Sequence, residues 1–187
     1  MKKAYIVHGW DGSPHEPLHE WLTEELSSRG YAVTAPEMPE PETPEIGAWV
    51  EKLAKVVEAP NEDTIFIGHS VGCQTILRYL ESLPPGVVIG KVIFIAPWLT
   101  ITGLEDDELA VAAPWVETNI DEAKVRLHAP SISAIFSDND PFVPTENMGL
   151  FSERFHTKNI LEHGKGHFTE DDGVTELKSA LATLLHT

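Results

Sequence analysis

The chain has 187 residues, with 30 Asp or Glu against 13 Lys or Arg, so its formal net charge is −17 at pH 7. This length predicts a single domain over residues 1–187, and the strong negative charge disfavours nonspecific binding to nucleic acid or to an anionic membrane. The only cysteine, Cys73, excludes an internal disulfide and a multi-cysteine metal site, and we expect it to be a small buried hydrophobe.

Short runs rich in β-branched residues alternate with helical patterns along the chain, which is typical of a parallel sheet with crossover helices. These runs are continuously apolar, as expected for strands that are covered on both faces. In chain order the predicted strands are residues 4–8, 31–34, 64–67, 91–96, 131–136 and 158–161.

Apolar residues at helical spacing fall between these runs and predict amphipathic helices. The stripes lie within residues 18–26, 46–57, 76–80 and 174–184, and they place Trp21 and Trp49 in the core. Two segments do not follow the alternation. Residues 35–44 contain four prolines, so they form either a stiff surface connection or one wall of a binding cleft. Residues 97–130 are expected to form one helix near 119–128, with the remainder over the top edge of the sheet.

The most informative motif is Gly68-His69-Ser70-Val71-Gly72, directly after the third predicted strand and before a helical pattern. This strand–turn–helix setting is the one that a nucleophile elbow requires. Glycines are needed there because side chains at 68 and 72 would collide with the neighbouring strand and helix. Ser70 is therefore the predicted nucleophile; a tight turn or a phosphate-binding loop is the alternative.

A serine hydroxyl needs a base to take its proton, and His167 is the best candidate among nine histidines. It follows the last strand in a glycine-rich loop, at the sheet edge where the elbow also emerges; His163 is the competitor. Two aspartates after the fifth strand could orient the imidazole. We favour Asp140, which lies further along its loop, and expect Asp138 to bond its own loop amides.

Acyl transfer also requires donors for the oxyanion. The backbone N–H groups of Val71, just after the nucleophile, and Trp10, in the loop after the first strand, are the predicted donors, and His8 is expected to orient that loop. The candidates for lining the substrate pocket are Trp10, His69, Trp98 and Trp115. We predict no metal, because the glycines between His163 and His167 argue against the helix that a metal-binding pair at this spacing needs. No cofactor is expected.

Together, His8-Gly9-Trp10, the elbow, Asp138-Asn139-Asp140-Pro141 and Gly166-His167-Phe168 resemble one family over nearly the whole chain. This is the small α/β-hydrolase family that contains the retinoblastoma-binding serine hydrolase and its bacterial relatives. The resemblance implies a serine hydrolase without a large lid, and its catalytic positions match Ser70, Asp140 and His167. The L-x-C-x-E motif associated with the retinoblastoma-binding member is absent around Cys73, so no such contact is implied.

We therefore expect a minimal α/β-hydrolase fold, a three-layer sandwich whose six parallel strands lie in the order 2-1-3-4-5-6. The expected activity is cleavage of a small or peptide-like ester, thioester or amide through an acyl-enzyme. The alternatives are an aminopeptidase-like amidase and a protein-binding scaffold with little turnover, although no sequence feature indicates a protein partner. With no signal peptide or membrane span, the expected location is the cytoplasm. Glutamates near the predicted cleft should disfavour anionic substrates; they are Glu37, Glu40, Glu42 and Glu45.

Overall fold

Six parallel strands form one sheet in the order β2-β1-β3-β4-β5-β6, as predicted. The structure, a computed structural model, describes residues 1–185. The strands are β1 (Lys3–Val7), β2 (Ala32–Thr34), β3 (Thr64–His69), β4 (Lys91–Ile95), β5 (Ile132–Ser137) and β6 (Lys158–Glu162). The strand order reverses where β1 lies between β2 and β3, and ligand sites of open α/β sheets lie at the carboxyl ends beside such a reversal.

Seven helices are present within residues 1–185. They are α1 (Pro17–Ser28), α2 (Ile46–Val56), α3 (Val71–Glu81), α4 (Asp106–Glu117), α5 (Glu122–His128), α6 (Glu146–Phe155) and α7 (Lys178–Leu185). Right-handed crossovers put α1 and α7 on one face of the sheet and α2, α3, α5 and α6 on the other. Contacts of α3 with α2 and α5, and of α5 with α6, agree with this arrangement.

The core lies on both faces of the sheet, and β3 and β5 are buried along their whole length. Trp49 is buried as predicted, whereas Trp21 is only partly buried and packs against the core. The last apolar stripe begins before its helix, because Val174 and Leu177 are buried but precede α7. None of the helices described in residues 1–185 combines the length and apolar character that a bilayer span requires.

The segment between β4 and β5 differs most from its prediction. It contains α5 at the expected place and, in addition, α4, which the sequence analysis missed. A capping box starts α4. The Glu108 carboxylate accepts the backbone N–H of Glu105 at 2.7 Å, and the Glu105 carboxylate accepts the backbone N–H of Glu108. The helix tolerates Pro114 in its interior and ends three residues later, at Glu117. One further helix, α6, was also not predicted.

Candidate active site

Ser70 lies at the junction of β3 and α3 in a strained backbone conformation. Its φ is 52° and its ψ is −119°, a combination that costs a non-glycine residue on the order of 1–3 kcal/mol. The turn is held by a hydrogen bond of 2.9 Å from the Ser70 N–H to the carbonyl of Ile95 on the adjacent strand. This geometry is that of a nucleophile elbow, and it positions the serine at the N-terminus of a buried helix.

The glycines of the elbow allow the close packing that this turn requires. A Cβ at Gly72 would lie 2.3 Å from the carbonyl oxygen of Val7, and one at Gly68 would lie 2.8 Å from the backbone nitrogen of Cys73. Both neighbours are backbone atoms, so neither can rotate away. The predicted collisions with the strand and the helix are therefore confirmed, and α3 packs directly against the end of β1.

His167 and Asp140 form a hydrogen-bonded pair at the same edge of the sheet. The imidazole Nδ1 lies 2.8 Å from Oδ2 of Asp140, whose side chain is 1% exposed. The other carboxylate oxygen accepts backbone N–H bonds from Phe142 and Val143, at 2.9 and 3.0 Å. These two bonds fix the carboxylate. With Nδ1–H donating to Asp140, the Nε2 of His167 is left as a proton acceptor.

The loop that carries His167 is held by Asp172, a residue that the sequence analysis missed. Its Oδ2 accepts hydrogen bonds from the N–H of His167 at 2.8 Å and from the hydroxyl of Thr169 at 2.8 Å. Gly166 has a φ of 51°, and a Cβ there would overlap the Asp172 carboxylate. No local signal distinguishes Asp172 from its acidic neighbours, so only the folded loop reveals its role.

Asp138 and His163 form a second pair, with 2.6 Å between Oδ2 and Nδ1. The sequence predicts that Asp138 bonds the amides of its own loop. The Asp138 carboxylate also accepts a bond of 2.9 Å from the N–H of Gly164, which lies in the loop after β6. The hydrogen bond from His163 lowers the pKa of Asp138, and the same contact raises the pKa of His163. The His163 side chain is 80% exposed, so this pair lies at the surface, whereas the Asp140 pair is enclosed.

The loop after β1 lies opposite the elbow. His8 holds it, because its Nδ1 donates to the carbonyl of Gly9 at 2.8 Å and its Nε2 accepts the N–H of Met38 at 3.0 Å. Burial lowers the pKa of His8, in keeping with this structural role. The backbone N–H groups of Trp10 and Val71 donate to no group within residues 1–185 and therefore have free hydrogen-bonding capacity.

An open cleft of about 550 Å³ contains both Ser70 and His167. The predicted pocket residues Trp10 and His69 line it, and the proline-rich segment contributes Glu42 and Thr43. Of the two interpretations of that segment, the structure favours a cleft wall. Ile101, Leu104 and Val111, from the segment between β4 and β5, add apolar side chains to the lining.

Trp98 and Trp115 do not line this cleft, which corrects the prediction for both. Trp98 is fully buried, and its indole nitrogen lies 3.4 Å from the hydroxyl oxygen of Ser70. Trp115 is also buried; its indole donates to the carbonyl of Pro44 at 2.8 Å and its ring packs against Trp49. Both indoles are thus core side chains, and Trp98 contacts the serine from within the core.

His69 links the elbow to the loop that carries His167. Its Nε2 donates to the backbone carbonyl of His167 at 2.8 Å, and the two rings lie 5.1 Å apart. Burial and the proximity of His167 keep the pKa of His69 well below its usual value, which favours the neutral imidazole. His69 therefore both bonds the loop that carries His167 and lines the cleft.

Comparison with known proteins agrees with this architecture. The family described as "Serine hydrolase" matches residues 4–186. Hydrolase YdeN of Bacillus subtilis (strain 168) is 28% identical over 177 residues, which cover 94% of this chain and 90% of YdeN. Serine hydrolase RBBP9 of Rattus norvegicus is 26% identical over 165 residues, covering 87% of this chain and 79% of RBBP9.

Solved structures show the same fold. The crystal structure of the ydeN gene product from B. subtilis matches with a TM-score of 0.90 and 26% identity, over 98% of this chain and 97% of that one. Est1E from Butyrivibrio proteoclasticus, solved with ferulic acid, matches with a TM-score of 0.71 and 17% identity, over 99% and 88% of the two chains. The chain therefore has an α/β-hydrolase fold and belongs to the serine hydrolase family that its four motifs resemble.

Proposed function

We propose that the protein cleaves small esters, thioesters or amides through an acyl-enzyme formed on Ser70. The observation that carries this proposal is the enclosed hydrogen bond between His167 and Asp140, at a cleft that also contains the strained serine. A buried carboxylate that holds Nδ1–H directs the free lone pair of Nε2 to act as the base.

In the proposed reaction, the Ser70 hydroxyl attacks the substrate carbonyl while His167 Nε2 takes its proton. The resulting imidazolium returns that proton to the leaving alcohol, thiol or amine as its bond to the acyl carbon breaks. Water then attacks the acyl-enzyme with the same base, which releases the acid and restores Ser70. Asp140 stabilises the imidazolium and remains ionised throughout.

The tetrahedral intermediate carries an oxyanion, for which the free N–H groups of Trp10 and Val71 are the proposed donors. Val71 is the first residue of α3, so the helix dipole adds to its effect. Loss of one such donor typically costs about 2.7–4 kcal/mol of transition-state stabilisation. Both donors are backbone groups, so their positions depend on the loops that carry them. The close packing of Gly72 on Val7 holds the end of β1 against the start of α3.

A fluorophosphonate probe should label the native protein once. Its phosphorus atom accepts the serine oxygen only where a base activates the hydroxyl, so we expect a single adduct by intact mass and its location on the peptide that contains Ser70. Heat-unfolded protein is the control and should remain unlabelled. An unlabelled native protein would instead favour a binding scaffold with little turnover.

The charge of the cleft suggests which substrates it accepts. Five carboxylates line it, and no Lys or Arg within residues 1–185 does; the five are Asp11, Glu16, Glu42, Asp107 and Glu108. Of the four glutamates expected near the cleft, the lining includes Glu42 but not Glu37, Glu40 or Glu45. The source of the charge is therefore broader than the proline-rich segment, and neutral or cationic substrates are favoured.

We expect kcat/KM for an anionic ester to be about tenfold or more below that of a neutral ester of matched size, because the cleft repels it. Added salt should narrow the difference by screening the carboxylates. The Glu42→Gln/Asp107→Asn double variant should also narrow it, whereas the matched control Glu37→Gln/Glu40→Gln should leave it unchanged. Equal kcat/KM for the two esters at low salt would contradict the proposed preference.

A further inference from the structure

Three ligand-type side chains meet beside the cleft although they lie far apart in the sequence. Glu16 directly precedes α1, His19 lies in its first turn, and His69 ends β3. One ring nitrogen of each histidine and one carboxylate oxygen of Glu16 all lie within 4.8 Å of one another. The sequence analysis considered only His163 and His167 as a metal pair, and so it could not find this group.

Both imidazoles have one ring nitrogen without a hydrogen-bond partner. His69 uses Nε2–H to donate to the His167 carbonyl, which leaves a lone pair on Nδ1. His19 uses Nδ1–H to donate to the carbonyl of Ser13 at 3.0 Å, which leaves a lone pair on Nε2. Neither of these nitrogens has a partner within residues 1–185, and the two residues are 4% and 1% exposed. Buried lone pairs of this kind require a donor or a cation.

The third side chain supplies charge and a route to solvent. Glu16 is partly exposed, and both it and His69 line the cleft. One of its oxygens accepts the N–H of Ser13 at 3.2 Å, which orients the carboxylate. Its other oxygen lies 3.3 Å from Nδ1 of His19, the ring nitrogen that also faces the Ser13 carbonyl. Because Glu16 and His69 both line the cleft, a cation could reach the three side chains from it.

We propose that Glu16, His19 and His69 bind a divalent transition-metal ion, a site that is separate from the proposed hydrolytic chemistry of Ser70. Two neutral imidazoles and one carboxylate suit zinc and its neighbours in the first transition row. Ligand atoms on a tetrahedral zinc ion lie roughly 3.4 Å apart, given bonds of about 2.0–2.2 Å. The observed separations reach up to 4.8 Å, so metal binding requires the side chains to move closer together.

Such an ion would connect two parts of the active site. The loop that leads into α1 carries Trp10, and His69 directly precedes Ser70. A metal bound by both parts would hold the proposed oxyanion donor and the nucleophile at a constant separation. A water molecule that donates to both nitrogens is the competing occupant, and a titration with metal separates the two.

The test is titration of Zn²⁺ into chelator-treated, full-length protein, followed by calorimetry, with Co²⁺ absorption spectra to report imidazole ligation. We expect one equivalent to bind in the wild type and in His15→Gln, whose imidazole is exposed and lies outside the cluster. In His19→Gln and in Glu16→Gln, affinity should fall about 100-fold or more, since even changes behind the ligands typically cost 10–100-fold.

Two results would overturn the metal site: no zinc binding by the wild type, or undiminished binding by both variants. Because His19 is buried, its variant could unfold, so circular dichroism of each metal-free variant is part of the experiment. Glu16→Gln retains the size and the hydrogen-bond acceptor of the side chain, which keeps the test valid if His19→Gln fails to fold. Neither readout involves turnover, so the outcome does not depend on the hydrolase proposal.

Discussion

Replacement of Ser70 by alanine is expected to lower kcat for a p-nitrophenyl ester by roughly 10⁶-fold, the size of the loss when a serine protease loses its nucleophile. The substitution removes the oxygen that would form the acyl bond and leaves the cleft otherwise intact. The same variant should lose its fluorophosphonate adduct, as read by intact mass. Activity and labelling therefore test the nucleophile by two independent routes.

Ser82→Ala is the matched control. Ser82 caps the far end of α3, where its hydroxyl donates to the Tyr79 carbonyl at 2.6 Å, and it does not line the cleft. This variant should retain both its adduct and its turnover. An undiminished adduct on Ser70→Ala would show that Ser70 is not the nucleophile, whatever activity remains.

Asp140→Asn should reduce kcat by about 10⁴-fold, the effect of the same exchange in a serine protease. The amide oxygen can still accept the N–H groups of Phe142 and Val143, so the loop should keep its shape. The amide NH₂ would then face Nδ1 of His167 and force the proton onto Nε2. That tautomer cannot take the proton of Ser70, so we expect kcat to fall while the fold persists.

Asp138→Asn is the comparison that makes this experiment decisive. It makes the same chemical change two residues away, at a carboxylate that also contacts a histidine. Because the Asp138–His163 pair is at the surface, we expect kcat within about twofold of the wild type, since exposed pairs contribute little. The opposite ranking would reassign the orienting role to Asp138. Circular dichroism and a thermal unfolding curve for both variants exclude misfolding as the cause.

The sequence predicted the sheet well because strands and their connections are local patterns. The strand order is confirmed, and predicted strand ends lie within two residues of the observed ones. The fourth strand ends one residue early because Ala96 has a φ of 48°, which breaks the extended backbone. The apolar run continues through this residue, so its conformation could not be read from hydrophobicity.

Helix α4 escaped prediction because only two of its residues, Ala112 and Trp115, are buried, while other apolar residues are exposed. Leu109 and Val116 are 48% and 44% exposed, and Pro114 lies where a helix would be expected to end. The available signal was local and polar: Glu105 and Glu108 have the spacing of a capping box. The start of α4 is therefore encoded in this spacing and not in an apolar stripe.

The residues of the site also differ in how far the sequence could predict them. The proposed roles of Ser70, Asp140 and His167 follow from local motifs at strand ends, and these roles remain predictions, although the structure brings Asp140 and His167 into contact. The burial of Trp115 depends on a carbonyl 71 positions away. The meeting of His19 with His69 likewise depends on how α1 packs on the sheet, against β1 and β2. Contacts of this kind have no counterpart in linear spacing.

The segment between β4 and β5 is attached to the rest of the fold at both of its ends. Near its start, Asn147 accepts the backbone N–H groups of Leu99 and Thr100. At its far end, the buried Arg78 donates to the carbonyls of Trp115 and Thr118. Between these attachments, Leu104 and Val111 line the cleft without supporting the sheet.

We therefore expect the exposed part of this segment, residues 104–111, to tolerate substitution better than the strands do. The proposed nucleophile, base and carboxylate all lie on strand-end loops outside it, so its sequence can drift or be replaced while the catalytic frame is preserved. For engineering, it is the natural place to install a new acyl pocket, since its two anchors define where a graft must begin and end.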